Sequence, residues 1–434
     1  MPRDVARRTP FGKAARAWCM YDWANSAFAT TIASALFPPF FRSLATASGL
    51  AESTATAYWG YTASAALLLV AVIAPLLGAT ADHTGGKKRY MAAFAAFGMV
   101  FTASFFLIGD GAWKVASFLY VAAALGFAGA NVFYDSFLPH VADPPDVDRL
   151  SSRGFALGYL GGGLLLVLNV LWVTYPETFG MPGRAFAMRA SFASVAVWWA
   201  LFSIPFWRHV PEPPFTPRRE RGAHPLVEGI RRLAETAREV GHYRQLTLFL
   251  VAFWVYTDGV GTIVRMATAY GHEIGIGVTD MMVALVITQV VAIPCTLIFA
   301  RLARRVGPKA SILLTLAVYA VVAGSAYYMR TAAHFYALSF AVGTVQGGCQ
   351  ALSRSLFARM VPIDRSAEFF GFYSTSSKFA GVFGPLVFGV LSQATGQSRL
   401  GIVSVVAFFV VGAALLSRVN VQEGVMAAAG ANRV

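Results

Sequence analysis

The sequence predicts an all-helical integral membrane protein with twelve transmembrane helices in two related six-helix halves. Three observations predict it. Of the 434 residues, 57% are hydrophobic and 13% are charged, about half the charged share of an ordinary soluble domain. The apolar residues collect in twelve stretches, each long enough to cross a bilayer at about 20 residues per span. A short loop pattern also recurs at the same place in each group of six. This balance excludes a soluble enzyme and a disordered chain.

The first stretch covers 17–41. Arg3, Arg7, Arg8, Lys13 and Arg16 precede it, as in a secretory leader. No small-residue cleavage site followed by a soluble domain appears, so Trp18 onward reads as span 1. Stretches 58–79, 89–109, 113–138, 154–175 and 187–207 complete an N-terminal bundle over residues 1–207. Residues 208–245 form a linker with Pro211, Pro213, Pro214 and Pro217 before Arg218, Arg219 and Arg221. In its second half Leu226, Ile230, Leu233, Ala237 and Val240 recur at helical spacing beside Arg231, Arg232 and Arg238. That is either an amphipathic helix on an anionic leaflet or a solvated linker helix. Stretches 246–270, 277–300, 310–329, 333–358, 369–392 and 400–417 fill a C-terminal bundle over 246–434. A backbone in lipid must satisfy its own hydrogen bonds, and the alternation of a barrel strand is absent, so the spans are helices.

The formal charge of +14 first suggests nucleic acid, but the cations sort by side. Of 35 lysines and arginines, 26 lie in segments on the same side as the N-terminus and six lie opposite. By the positive-inside rule both termini and the linker are cytoplasmic in a multi-pass inner-membrane protein. No nucleic-acid partner is expected; the lipid bilayer and a small-molecule substrate are, and the protein is expected to act as a monomer. Cys19, Cys295 and Cys349 sit far apart in apolar runs and read as small buried hydrophobes. The seven histidines fall in loops or at span ends, without metal-ligand spacing. No phosphate-binding loop and no catalytic constellation appears. No enzyme activity, no metal and no cofactor are expected, and ATP does not drive the protein directly.

The loop after span 2 runs from Gly78 through Asp82 and Gly85 to Lys87 and Lys88. The loop after span 8 runs from Ala300 through Arg304 and Gly307 to Lys309. A small residue lets helices approach. A carboxylate in the turn caps a helix start or pairs with a cation. In the second copy Arg304 replaces the acid, so its loop should lack that contact. A fainter repeat joins Asp135-Ser136, Pro139 and Gly154-Phe155 to Arg354-Ser355, Pro362 and Gly371-Phe372. Motif, position and repetition resemble the major facilitator superfamily. That resemblance implies two halves related by an axis along the membrane normal and a substrate site between them.

Six ionisable residues inside spans matter most: Asp22, Asp135, Asp258, Arg265, Arg354 and Lys378. Each is costly there, about 2.5–3.5 kcal/mol on insertion scales, and their charges sum to zero. Asp135 and Arg354 are gate candidates near the cytoplasmic ends, with a static salt bridge as the alternative; Asp82 joins them from its loop. Asp22, Asn25, Asn131, Tyr256, Asp258, Gln346, Gln350 and Lys378 are candidates for substrate or coupling contacts. Asn131 and Asp135 share one helical face, and Gln346, Gln350 and Arg354 another. For Asp22 a fixed ion pair or helix cap stands beside a proton-coupling role. Arg265 reads as snorkelling or paired. Gly154, Gly158 and Gly162, with Gly343 and Gly347, read as close-packing positions. Tyr21, Trp23, Trp254, Tyr256 and Tyr373 are either pocket-lining or packing residues.

Longer stretches carry a closer resemblance. They are Trp18 to Phe28 with Phe37-Pro38, Tyr134 to Pro139, Gln346 to Ser355, and Phe370 to Tyr373 with Lys378 and Gly384-Pro385. These are similar to the vacuole effluxer family, the fungal autophagy-related vacuolar amino-acid exporters and their bacterial relatives. The resemblance implies secondary transport by alternating access, with an amino acid or similar metabolite as the favoured cargo, export as the direction and protons as a further partner. Export of amphipathic drug or lipid-like molecules is the alternative within that class. A non-transporting receptor or scaffold is the alternative outside it.

Overall fold

The computed structural model describes residues 11–214, 243–273, 275–379, 383–395 and 398–431, and all regular structure among them is helical. The linker repeat from Leu226 to Val240 lies outside the described residues, as do the side chains of Arg265 and Lys378.

Span 1 is α1 (Lys13–Ala27), a π-helical stretch (Phe28–Leu36) and α2 (Phe37–Ala47). A π stretch this long is rare and tends to sit at functional positions. Here the Ser34 hydroxyl donates to the Ala29 carbonyl five residues back, at 2.8 Å. Next come α3 (Glu52–Thr84), α4 (Lys87–Ser104), α5 (Trp113–Ser136), the short α6 (Leu138–Val141), α7 (Val147–Thr174) and α8 (Arg184–His209). The second half holds α9 (Arg244–Glu273), α10 (Val278–Val306), α11 (Pro308–Ser325) and α12 (Ala332–Met360). It continues with α13 (Ser366–Phe379), α14 (Phe383–Thr395), α15 (Ser398–Ser417) and α16 (Val421–Ala431). Helices α13 and α14 together make span 11.

Helix therefore occupies all twelve expected stretches. Among the described residues eight helices are long and apolar enough to cross alone, or nine if the pair α15 and α16, bent by 60°, counts as one. Spans 1, 10 and 11 fall outside that test, and their surroundings explain it. Span 1 is interrupted by the π stretch, the described parts of span 11 (α13 and α14) are each shorter than a full crossing, and α12 carries Gln346, Gln350, Arg354 and Arg359. Nearly every residue of α12 from Val345 to Ala358 is buried by protein. A helix wrapped by other helices is not selected for lipid solubility, so hydropathy understates it. Lipid-facing positions elsewhere are apolar, among them Leu107, Phe118, Val197, Val321 and Val410.

Helix pairing displays the repeat. Within the first half α3 packs on α5, α4 on α5, α4 on α8 and α1 on α8. Within the second, the equivalent pairs are α10 on α12, α11 on α12, α11 on α15 and α9 on α15. Between halves α3 meets α13 and α7 meets α10. In span numbers these are 2 with 11 and 5 with 8, pairs that a two-fold axis exchanges. The repeated loops add a matching detail. Lys88 Nζ donates to the carbonyls of Trp207 and Val210 at 2.7 and 2.6 Å, closing the end of α8. Lys309 Nζ donates to the carbonyls of Ser417 and Val419 at 2.7 and 2.8 Å, closing the end of α15. The structural counterpart of Lys309 is thus Lys88, one residue beyond the partner that spacing suggests, because the first loop has a second glycine, Gly86. A cation at a helix C-terminus stabilises it by about 0.3–1 kcal/mol when exposed. Lys88→Met and Lys309→Met should each lower the melting temperature slightly and by similar amounts, measured on purified protein.

Candidate functional site

The helices that cross between halves bring the polar interior together at one end of the bundle. This is the end that carries Lys87, Lys88, Arg149, Arg304 and Arg305, the basic end. Arg354 enters from α12 and is 3% exposed. Its Nη2 bonds Asp22 Oδ2 of α1 at 3.0 Å, and its Nη1 bonds Asp135 Oδ1 of α5 at 3.0 Å. On α7, Nε donates to Ser151 Oγ at 3.0 Å and Nη2 to the Ser151 carbonyl at 3.1 Å. The guanidinium also lies over three rings, 4.1 Å from the centroid of Phe155, 4.8 Å from Trp18 and 5.6 Å from Tyr134. Gly154 makes room for this: a β-carbon there would overlap Asp22 Oδ2 and stand 3.1 Å from Arg354 Nη2. Asp22, placed with the substrate candidates by its sequence position, belongs to the same ion cluster as the gate candidates Asp135 and Arg354.

Two further contacts tie the halves at this end. Asp148 at the start of α7 takes Arg359 of α12 in a forked pair, with Nη2 to Oδ2 at 2.7 Å and Nε to Oδ1 at 3.3 Å. The Ser151 hydroxyl donates to the Ala351 carbonyl at 2.8 Å. On the other side Asp82 both pairs with Lys87 at 2.7 Å and accepts the Glu368 backbone N–H at 2.7 Å. The acid thus caps the first turn of α13 from the opposite half, where the positive end of the helix dipole favours an anion. Lys87 also donates to Ser366 Oγ at 2.7 Å. Arg304, the second-half equivalent of Asp82, is exposed. Gly78 of α3 sits flush against the backbone of Ala367 and Glu368. The dense packing of the basic end therefore rests on ion pairs and on glycine.

Beyond Arg354, toward the opposite end, a cavity opens with about 1130 Å³ of empty space, mouth included. Gln346 lines it from α12, eight residues from Arg354, which is about 12 Å along a helix at 1.5 Å per residue. Thr30 and Ser34 of the π stretch line it from the first half, and Thr288 and Gln289 of α10 from the second. The rest of the described lining is mostly aliphatic, with one ring, Phe335.

The remaining sequence candidates separate. Asn25 Nδ2 donates to Asn131 Oδ1 at 2.5 Å, linking α1 to α5. Gln350 accepts from Tyr159 Oη of α7 at 2.7 Å, a further bond between halves. Tyr256 is buried in the second half with its hydroxyl 2.6 Å from Ser353 Oγ. Asp258 accepts the Gly384 backbone N–H at 3.0 Å and so holds the start of α14. None of Tyr21, Trp23, Trp254, Tyr256 and Tyr373 is among the described cavity residues. The glycines close-pack as expected: Gly158 and Gly162 abut Ser26, and Gly347 abuts Thr296.

Sequence reasoning missed Ser151, Tyr159, Trp18, Phe155, Thr30, Ser34 and the pair Asp148–Arg359 as site residues. For Asp148 and Arg359 the positions at span ends look like ordinary interface charges. Ser151 and Phe155, at spacing four on the face that carries Gly154, had a signal in the glycine stripe, which marks where α7 is approached most closely. The π stretch has no dependable sequence mark.

Comparison with known proteins adds a family. The family described as Vacuole effluxer Atg22 like matches residues 50–429. The MFS-type transporter YxiO of Bacillus subtilis (strain 168) is 38% identical over 408 residues, covering 94% of this chain and 95% of that protein. Autophagy-related protein 22 of Cryptococcus neoformans (serotype D, strain B-3501A) is 25% identical over 295 residues. That match covers 64% of this chain and 53% of the fungal protein, so the chain spans about half of that relative's length. Among solved structures, the human organic anion transporter MFSD10 superimposes with a TM-score of 0.73 at 14% identity, covering 94% of this chain and all of that one.

Proposed function

Because this chain belongs to the vacuole effluxer Atg22 like family, we propose that it exports a small solute by alternating access, with an amino acid or similar metabolite as the favoured cargo. It is a multi-pass membrane transporter of the major facilitator superfamily, and the family is one of transporters rather than enzymes. The finer reading rests on one observation. The two halves are tied by Arg354, Asp22 and Asp135 at the basic end, while the cavity lies beyond them toward the other end. With the basic end cytoplasmic, this is a form closed to the inside. Export requires the Arg354 cluster to break so that cargo enters from that side. In this reading the protein works as a monomer, since both halves of the site are in one chain.

Ser152 offers a reporter. It is buried on α7 beside the cluster, and its hydroxyl has no hydrogen-bond partner, so cysteine loses no bond there. In protein lacking the native cysteines, Ser152→Cys should react with a water-soluble thiol reagent about tenfold faster when a cargo shifts the population toward the inward-open form. A thermal-shift screen of amino acids and metabolites identifies cargo, since a ligand of the folded state stabilises it. If no stabilising solute alters labelling, the reading as a non-transporting receptor gains and transport by this gate fails.

Proton coupling through Asp22 is the finer part of the proposal. Asp22 holds the contact that must break, so it is the acid laid open to the cytoplasmic side when Arg354 withdraws. Counterflow by Asp22→Asn should persist but lose its response to an imposed pH gradient. A full response in that variant removes Asp22 from the coupling path. The mostly aliphatic lining of the cavity favours, as a second reading, an amphipathic cargo. Stabilisation by hydrophobic amines or lipid-like solutes and not by polar metabolites would select it.

A further inference from the structure

Every described partner of the Arg354 guanidinium lies in the first half, although Arg354 itself belongs to the second. Asp22 and Trp18 come from α1, Tyr134 and Asp135 from α5, and Ser151 and Phe155 from α7. Together they form a cup with two carboxylates, one hydroxyl and one carbonyl as acceptors, and three ring faces. The cup is held by contacts of its own. Trp18 Nε1 donates to the Tyr134 carbonyl at 3.0 Å, and the two rings stack at 4.5 Å. Gly154 keeps the space over Asp22 clear. None of these contacts involves the second half, so Trp18, Tyr134 and Asp22 keep their places when the halves rock apart and Arg354 leaves with α12, while the Ser151 hydroxyl is released from the Ala351 carbonyl.

A cup lined by carboxylate oxygens and three ring faces, once Arg354 has left it, is a receptor for another cation. Carboxylates bind cationic nitrogen by charge-assisted hydrogen bonds, and aromatic faces add cation–π attraction. We infer that the cup of Trp18, Asp22, Tyr134, Asp135, Ser151 and Phe155 binds the cationic nitrogen group of the cargo, an ammonium or guanidinium, and that Arg354 occupies it in the closed form as a tethered stand-in. This inference rests on the transport reading above and names the chemistry at one end of its cargo. Solute and Arg354 then exclude each other. A bound solute cation holds the basic end open, and its passage on into the cavity lets Arg354 return and close that end behind it.

Small probes test this without knowing the cargo. Methylguanidinium and methylammonium are the cations, and methylurea is the neutral control. In the full-length protein, Arg354→Ala should be stabilised against heating by both cations at concentrations about tenfold below those needed for the unsubstituted chain, which must first displace its own arginine. Adding Asp22→Asn to Arg354→Ala should raise the cation concentrations needed about tenfold, with Asp135 still in place to bind them, and methylurea should have no effect. With arginine in place, the same cations should speed labelling of Ser152→Cys, and methylurea should not. If Arg354→Ala does not fold, Arg354→Lys decides. It keeps a cation in the cup but loses the forked bonds and the planar stacking, so methylguanidinium should reach half-maximal labelling at a concentration about fivefold lower.

Equal responses to cation and control, no response in either assay, or an Arg354→Lys protein that needs as much methylguanidinium as the unsubstituted chain would overturn the inference. Labelling that responds to neutral solutes alone would sink the cup while leaving alternating access intact. Cation binding at the cup in a protein that shows no counterflow would keep the cup and remove the transport reading.

Discussion

Replacing Arg354 with glutamine should destabilise the protein by about 3–5 kcal/mol, the amount lost when one partner of a buried ion pair is removed. The reason is local. Arg354 is 3% exposed, and its removal leaves the Asp22 and Asp135 carboxylates behind without it. The expected melting temperature is the lowest of any single substitution discussed, and transport should fall with it. Neutralising both acids in the same chain separates loss of the pair from leftover charge. Arg354→Met combined with Asp22→Asn and Asp135→Asn should regain most of the stability, since replacing a whole buried ionic group is often near neutral. It should not regain gated transport. An Arg354→Gln protein that melts with the unsubstituted chain would mean that the cluster carries little net energy.

The second large effect comes from the smallest residue. A β-carbon on Gly78 would overlap the Ala367 carbonyl oxygen and stand 2.8 Å from Glu368 Cα. These are backbone atoms of α13 and its start, so they cannot swing aside. Gly78→Val should therefore make the closed basic end strained by roughly 1–3 kcal/mol, as overpacking does. A form with α3 and α13 apart is spared that strain, so the population moves about 5- to 150-fold toward it. Ser152→Cys labelling in a Gly78→Val background should be fast without any solute. Gly371 makes the same kind of approach to Pro75 from the opposite helix, so Gly371→Val should act in the same direction. Slow labelling in both would show that the interface relaxes around the added carbon. Gly163, also within a span but with no atom near its β-carbon position, is the control: Gly163→Ala should change neither labelling nor closure.

Much of this was legible in sequence because lipid imposes strong rules. The length of an apolar run decides whether it crosses, so the apolar stretches were visible even at α12, which falls outside a strict hydropathy test. The repeated loop was visible because a tight connection tolerates few residues, although the pairing of Lys309 with Lys88 depends on one extra glycine. Buried charge was visible because it is costly. Asp135 and Arg354 could be nominated as partners from their depth. That Asp22 shares the same arginine, through a third helix, could not. Depth along a helix follows from counting residues, but the direction a side chain takes around the bundle depends on which neighbours surround it. Asp258 shows the same limit. Its burial marks it as special, but only the fold brings the Gly384 backbone N–H of α14 within its reach.

The sequence by itself determined the class of protein, the order of its apolar stretches and the relation between its halves. Each of these follows from local composition and spacing read against a bilayer. The tertiary structure decided which polar residues meet and on which side they meet. It put three helices of one half around an arginine of the other, placed the π stretch beside the cavity and closed the basic end over glycine. Those outcomes depend on helix rotation and on contacts between residues more than a hundred positions apart, and no local pattern encodes the angle at which two helices face each other.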